Sequence, residues 1–203
     1  KLKSGAFQFK CLFGVAMFDL IISNGTIIDG SDSPSFNADI GIVSDRIKSI
    51  GDLSGYEGKK NIDAKGFIVS PGFIDTHAHS DGVLLIDPQH ANGIRQGITT
   101  EILGQDGLSY APLSKENYKI YRKYLSGILG EPPEDLDMSS IKKFRSHYNE
   151  KVSINTAYPI AHGALRLEVL GFRDLPMRGK YLDKAKDLIV QGMSDGAIGL
   201  ATG

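Results

Sequence analysis

Two histidines separated by one residue follow an apolar run in the first half of the chain. The strand-like run begins near Phe73 and ends in His77-Ala78-His79, with Asp75 two residues before His77. Side chains of an extended strand alternate between its two faces, so Asp75, His77 and His79 are expected to point the same way. Two imidazoles on one face can bind a single ion, and histidine is a common ligand of zinc and similar metals. The pattern predicts part of a metal site, although two solvated or hydrogen-bonded histidines would have the same spacing.

The composition is that of an ordinary globular protein. The 203 residues are 41% hydrophobic and 23% charged, with a formal net charge of −1. We therefore expect neither a nucleic-acid partner nor a membrane partner, and no apolar run is long enough to span a bilayer. The single cysteine, Cys11, cannot form an intrachain disulfide, which favours the cytoplasm over an oxidising compartment.

The first sixteen residues differ from those that follow. The chain begins with lysine, and the first clear strand pattern starts just after Met17. We expect residues 1–16 to be a poorly ordered tail or a non-native extension. Short strand patterns separated by turn residues then fill 17–69, where Asn24-Gly25 signals a hairpin or a bulge and Ser44-Asp45 a tight turn. This stretch predicts a small β-domain.

Strand-like and helical patterns alternate over residues 70–203. Strands are predicted at Phe73–His77, Thr99–Leu103, Val152–Tyr158 and Ala197–Leu200, with amphipathic helices between them. This α/β alternation indicates βα units around a parallel sheet. A closed eight-stranded barrel takes about 250 residues, so we expect the N-terminal part of a (β/α)8 TIM-like barrel, truncated after its fourth strand. An open flavodoxin-like sheet is the alternative, but a β-rich start does not belong to that architecture.

Polar residues follow each of the first three predicted barrel strands at its C-terminal end, where barrel enzymes have their active sites. His77 and His79 follow the first strand, Asp106 follows the second and His162 the third. Asp106 could offer a metal a hard oxygen ligand, or Asp106-Gly107 could be a simple turn. The shared position of these residues at one end of a barrel favours a common site.

The sequence resembles the amidohydrolase superfamily, and within it the N-acyl-D-amino-acid deacylases (D-aminoacylases), from about residue 18 to the end. The blocks that carry the resemblance are Asp19–Gly30, Ile62–Gly66, Pro71–Asp81, Ile94–Glu101, Gly107–Leu113, His162–Arg166 and Gly196–Gly203. The resemblance implies a β-sandwich segment over residues 17–69 and part of a metal-dependent hydrolase barrel over residues 70–203. It also implies a divalent metal, usually zinc, and hydrolysis of an amide bond in a small N-acyl amino acid.

The resemblance further implies roles for particular positions. His77 and His79 are the expected metal ligands, and Asp106 stands where many D-aminoacylases have a ligating cysteine. The general-base aspartate is expected beyond residue 203, as are further histidine ligands. We therefore expect residues 1–203 alone to bind metal weakly and to turn over no substrate.

Four further residues are predicted to contact the substrate, and they are Ser109, Tyr110, His162 and Arg166. His162 is predicted to form part of the pocket wall, although a metal ligand or a histidine bound to nearby backbone stays open. Arg166 could pair with a substrate carboxylate through a bidentate contact or lie on the side of a helix.

Two other functions stay open at this point. One is a cyclic-amide hydrolase of the dihydroorotase or hydantoinase type, which the absence of lysine from Ala197–Gly203 disfavours. The other is a catalytically inactive amidohydrolase-fold protein that serves in interactions, against which the retained His77 and His79 count. The sequence gives no oligomeric state.

Overall fold

The computed structural model describes residues 17–203, so the predicted tail with Cys11 lies outside the described residues. The chain divides into two compact units, the first ending at Pro71 and the second comprising Gly72–Gly203. Within 17–203, no helix is both long enough and apolar enough to cross a membrane.

The first unit is a mixed β-sheet. Its strands are β1 (Phe18–Ile27), β2 (Phe36–Val43), β3 (Arg46–Gly51), β4 (Gly58–Asp63) and β5 (Ile68–Val69). β1 is central, since it pairs antiparallel with β2 and parallel with both β4 and β5, while β3 pairs antiparallel with β2. Phe18, Ile21 and Leu53 form a small buried cluster. Residues 17–71 thus form a single sheet, and the sandwich that would cover it stays a prediction.

The turn signals of this unit have two different outcomes. Ser44-Asp45 forms the predicted tight turn, since Val43 before the turn pairs with Arg46 after it. Asn24-Gly25 marks a bulge rather than a hairpin, since β1 runs through both residues and its register with β2 shifts between Ile22 and Gly25. Asn24 adopts a left-handed φ of 60°, a conformation that asparagine tolerates better than most residues.

The second unit alternates strands with helices, so the fold is mixed α/β as predicted. Its strands are β6 (Phe73–Asp75), β7 (Ile98–Ile102), β8 (Asn155–Ala157), β9 (Ile160–Ala161) and β10 (Leu200–Ala201). Its helices are α1 (Val83–Ile86), α2 (Ala91–Ile94), α3 (Lys115–Tyr124), α4 (Ser126–Leu129), α5 (Ile141–Ser146), α6 (His162–Leu170) and α7 (Lys180–Ser194).

The parallel strands neighbour one another in chain order. β6 pairs with β7, β7 with β8, and β9 with β10, all in parallel. Tyr158-Pro159 separates β8 from β9, and proline has no N–H with which to continue the ladder. The predicted third strand starts late because the N–H of Val152 still closes a turn onto the carbonyl of Tyr148 at 3.2 Å. Parallel strands in sequential order have their C-terminal ends at one edge, where the candidate site residues lie.

Aromatic and aliphatic side chains fill the core of the second unit. Tyr118 and Tyr121 lie three residues apart on α3 and are both buried, and Phe144 of α5 joins the same cluster. The Tyr118 hydroxyl donates to the carbonyl of Pro133 at 2.7 Å, so its polar end is satisfied inside the core. These aromatic residues belong to the packing that supports the strand ends.

Candidate metal centre

His77 and His79 lie in the loop after β6. The strand ends at Asp75, whose Oδ1 accepts a hydrogen bond from the backbone N–H of His77 at 3.0 Å. This side-chain turn bends the chain out of its extended path, so the predicted strand is two residues too long and strand alternation does not orient the histidines. The bend nevertheless brings the two rings together, with centroids 5.3 Å apart and an interplanar angle of 77°.

Asp106 lies in the loop after β7, within a single 3₁₀ turn at Gln105–Gly107. Its φ of 55° is left-handed, and Gly104 before it and Gly107 after it are left-handed as well. Aspartate tolerates this conformation because its short side chain can hydrogen-bond locally. The Gln105 amide donates to the carbonyl of Thr76 at 2.9 Å and so joins this turn to the histidine loop.

The turn directs Asp106 between the two histidines. Its Oδ2 lies 3.2 Å from Nε2 of His77 and 3.2 Å from Nε2 of His79. Two ligands that each lie about 2.0–2.1 Å from a tetrahedral zinc ion are roughly 3.3 Å apart, so the observed spacing suits one shared ion. These residues form the one group of three or more histidine, cysteine or acidic ligands that residues 17–203 bring together.

The accessibility of the group also fits a bound ion. The side chains of His77 and Asp106 are 58% and 51% exposed, whereas that of His79 is 28% exposed, so the cluster opens to solvent on one side. Nδ1 of His79 is buried and has no hydrogen-bond partner among the described residues. Nδ1 can therefore carry the ring proton, which leaves Nε2 unprotonated and able to bind a metal. Two imidazoles and one carboxylate are a donor set that zinc accepts.

Two buried acids support the loop that carries the histidines. Glu101 of β7 is 3% exposed, and its Oε1 lies 2.6 Å from Nε2 of His90. Its other oxygen accepts a hydrogen bond from the hydroxyl of Ser80. The side chain of His90 is only 13% exposed, and it provides this buried carboxylate with a hydrogen-bond partner.

The second buried acid, Asp81, is completely inaccessible. Its Oδ1 accepts from the hydroxyl of Ser109 at 2.5 Å and from the backbone N–H of Gly104 at 3.2 Å. Burial raises the pKa of Asp81 to about 7, while the hydrogen bonds from Ser109 and Gly104 oppose that rise and the nearby charge of Glu101 adds to it. Residue types and spacing did not single out this acid.

Two of the predicted substrate residues face the core. Ser109 gives its hydroxyl to Asp81, and Tyr110 donates to the carbonyl of Gly130 at 2.6 Å. Both side chains are 0% exposed. In this arrangement neither reaches solvent, so their contact with a substrate stays a prediction without structural support.

The other two lie on α6, whose first residue is His162. A Cβ atom at Gly163 would lie 2.6 Å from the carbonyl oxygen of Gly107, so the start of this helix packs closely against the turn that carries Asp106. His162 is half-buried beside that turn. Arg166 lies one turn further along, and its guanidinium donates to the carbonyl of Leu175 at 2.7 Å.

Known proteins resemble the chain over most of its length. The profile described as the amidohydrolase family matches residues 60–167, which is more than half of the chain. A D-aminoacylase from Alcaligenes xylosoxydans xylosoxydans is 34% identical over 196 residues, which cover 92% of this chain and 38% of that enzyme. An N-acyl-D-glutamate deacylase from the same organism is 34% identical over 185 residues, with 91% and 37% covered.

A solved structure matches the fold as well. It is the N-acyl-D-glutamate deacylase of Bordetella bronchiseptica, complexed with zinc and a phosphonate inhibitor that mimics the tetrahedral intermediate of the reaction. The TM-score is 0.82 at 30% sequence identity, and the match covers 92% of this chain and 38% of that one. The chain therefore spans a little over a third of the length of these relatives.

Proposed function

The chain belongs to the amidohydrolase family, and from that premise we propose that the protein containing it hydrolyses the amide bond of N-acyl-D-amino acids with a bound zinc ion. The observation that carries this proposal is the single oxygen of Asp106 that lies 3.2 Å from Nε2 of both His77 and His79. The relatives named D-aminoacylase and N-acyl-D-glutamate deacylase support the choice of substrate.

The three ligands have distinct chemical roles in this proposal. A bound divalent metal would act as a Lewis acid, polarising the scissile carbonyl and lowering the pKa of water from about 15.7 to about 7. His77 and His79 would hold it through neutral nitrogens, and Asp106 would add one negative charge. The ligand set therefore carries a single negative charge and would leave a divalent ion with net positive charge. An oxygen ligand in place of a thiolate also favours harder ions than cysteine would.

We propose roles for three further groups. His162 lies at the start of α6 beside the Asp106 turn, and we place it in the wall of the substrate pocket. Arg166 is the proposed partner of the substrate carboxylate. We place the general-base aspartate that passes a proton to the leaving amine outside residues 1–203.

We also propose that the parallel strands form part of a (β/α)8 barrel. Their sequential order supports this, because an open flavodoxin-like sheet has the order 2-1-3-4-5. In a barrel the loops after successive strands meet at one end, and the histidine loop after β6 and the Asp106 turn after β7 do so here.

The experiment uses the purified full-length protein and a panel of N-acetyl-D- and N-acetyl-L-amino acids. Chiral chromatography measures the free amino acid that is released. We expect hydrolysis of D substrates, loss of activity with a chelator and recovery with zinc. Hydrolysis of hydantoins or dihydroorotate without release from any N-acyl amino acid would contradict the proposal and favour the cyclic-amide alternative.

Variants connect the activity to the cluster. His77→Ala should abolish both amino-acid release and zinc binding. His147→Ala is the matched control, because Nε2 of His147 lies 2.9 Å from the carbonyl of Asp137, a residue outside the ligand cluster. Full activity in His77→Ala, or equal losses in both variants, would refute the assignment of the metal centre.

A further inference from the structure

One buried carboxylate joins the two loops that supply the metal ligands. Asp81 follows His79 by two residues, so it belongs to the loop after β6. Its Oδ1 accepts hydrogen bonds from Gly104, two residues before Asp106, and from Ser109, three residues after it. A single oxygen atom of the histidine loop therefore holds both ends of the segment that presents Asp106.

The preceding residue makes a second connection between the same elements. The hydroxyl of Ser80 donates to Glu101 in β7, the strand that leads into the Asp106 turn. Glu101 also contacts His90 at 2.6 Å. Ser80 and Asp81 thus attach the histidine loop to β7 at Glu101 and to the following turn at Gly104 and Ser109.

The backbone of Asp81 is fixed as firmly as its side chain. Its carbonyl accepts a hydrogen bond from the hydroxyl of Tyr148 at 2.6 Å, and Tyr148 is itself buried. A carboxyl group in such an environment is costly to bury. An apolar residue of similar size would avoid that cost but could not accept the hydrogen bonds from Gly104 and Ser109.

We propose that Asp81 is a positioning residue that sets the distance between the His77–His79 pair and Asp106, and thereby the affinity of the metal centre. This inference rests on the proposed function, because it takes those three residues as the ligands. Removing a residue that orients metal ligands typically lowers metal affinity 10–100-fold. Ligand geometry must be held within about 0.5 Å, and hydrogen bonds at both ends of the Asp106 segment can hold it so.

The test measures zinc affinity of the full-length apoprotein by competition with a chromophoric chelator, and the visible spectrum of the Co²⁺ form. Asp81→Ala should weaken zinc binding about 10–100-fold and change the cobalt spectrum. Asp81→Asn should keep the zinc affinity and the cobalt spectrum close to those of the wild type, because the amide keeps an Oδ1 that can accept hydrogen bonds from Gly104 and Ser109. Should Asp81→Ala fail to fold, Ser109→Ala serves instead, since it removes one of the two hydrogen bonds and is expected to weaken zinc binding by a smaller factor.

A matched control separates positioning from general stability. Tyr118→Phe removes a buried hydrogen bond of the same unit at 2.7 Å, to the carbonyl of Pro133. It should lower thermal stability while zinc affinity and the cobalt spectrum stay as in the wild type. Wild-type affinity in folded Asp81→Ala or Ser109→Ala would overturn the inference, and so would an Asp81→Asn variant as defective as Asp81→Ala.

The failure of the proposed function gives a different result. If the wild type binds no zinc, or if His77→Ala binds it as well as the wild type does, the metal centre itself is wrong. If His77→Ala loses zinc while the Asp81 and Ser109 variants keep it, the assignment of the metal centre is supported and only the positioning role of Asp81 is refuted.

Discussion

Removing one member of the buried pair of His90 and Glu101 should destabilise the fold far more than removing one member of an exposed pair of equal length. Nε2 of His90 lies 2.6 Å from Oε1 of Glu101, and the two side chains are 13% and 5% exposed. Nζ of Lys59 lies 2.6 Å from Oδ1 of Asp19, but those side chains are 59% and 37% exposed. The two pairs therefore match in distance and differ in burial.

The perturbation is His90→Ala, which leaves the carboxylate of Glu101 buried with Ser80 as its remaining side-chain partner. Leaving a buried charge without its partner costs about 3–5 kcal/mol, and the lower end applies because His90 is not fully buried and Ser80 remains bonded to Glu101. A loss of about 3 kcal/mol corresponds to a shift of roughly 6–12 °C in the melting temperature of a protein of 150–250 residues, and the shift becomes smaller as the chain becomes longer, so we expect less than this in the full-length protein. Lys59→Gln should shift the melting temperature little, because solvent screens the exposed pair.

The assay is thermal unfolding of the full-length protein followed by circular dichroism, with a double-mutant cycle. Glu101→Gln replaces the buried charge with a neutral group that still forms hydrogen bonds. The double variant His90→Ala/Glu101→Gln should therefore lose about 1–2 kcal/mol less than the sum of the single losses. Equal shifts for His90→Ala and Lys59→Gln, or strictly additive losses in the cycle, would refute the reasoning.

Three further predictions concern the Asp106 turn and the first unit. Asp106→Cys should raise the ratio of zinc affinity to manganese affinity, because thiolates prefer softer ions, and metal titrations of the apoprotein measure it. Gly104→Ala should lower the free energy of unfolding by about 1–3 kcal/mol through backbone strain, because the φ of Gly104 is +70° and a Cβ atom would lie 2.8 Å from the carbonyl oxygen of Pro159. Gly127→Ala is the control, since a Cβ atom there meets nothing within 4 Å, and thermal unfolding measures both variants. The hydrogen bond from Lys59 lowers the pKa of Asp19, so Lys59→Gln should raise that pKa in an NMR titration. A lowered pKa means that ionised Asp19 stabilises the folded protein at pH values above the ordinary aspartate pKa of about 3.9. This stabilisation is lost as the pH falls through the pKa of Asp19 in the folded protein, and it should be smaller in Lys59→Gln.

Local sequence signals predicted the elements whose cause is itself local. The Ser44-Asp45 turn follows from residues that adopt tight turns, and it forms between β2 and β3. The helix over Lys115–Tyr124 follows from apolar residues at three- and four-residue spacing, and its buried face carries Tyr118 and Tyr121. The alternation of such elements was enough to predict a mixed α/β unit with parallel strands.

Element ends were predicted less well, because single hydrogen bonds set them. The side chain of Asp75 captures the N–H of His77 and ends β6 two residues before the predicted limit. Pro159 interrupts the third strand, so its two parts pair with different neighbours. Neither event changes the apolar pattern on which a strand prediction depends.

The buried acids escaped prediction because their partners lie far away in the sequence. Asp81 bonds to Gly104 and Ser109, which are 23 and 28 residues further on, and no local spacing relates them. The sequential parallel order supplies the missing relation, since it makes the loops after β6 and β7 neighbours. Within that order, Asp81 follows the candidate ligands His77 and His79 and lies next to the loop that carries Asp106. The hydrogen bonds of Asp81 to Gly104 and Ser109 therefore depend on strand order, which the alternation of elements predicts, and on side-chain contacts, which it does not.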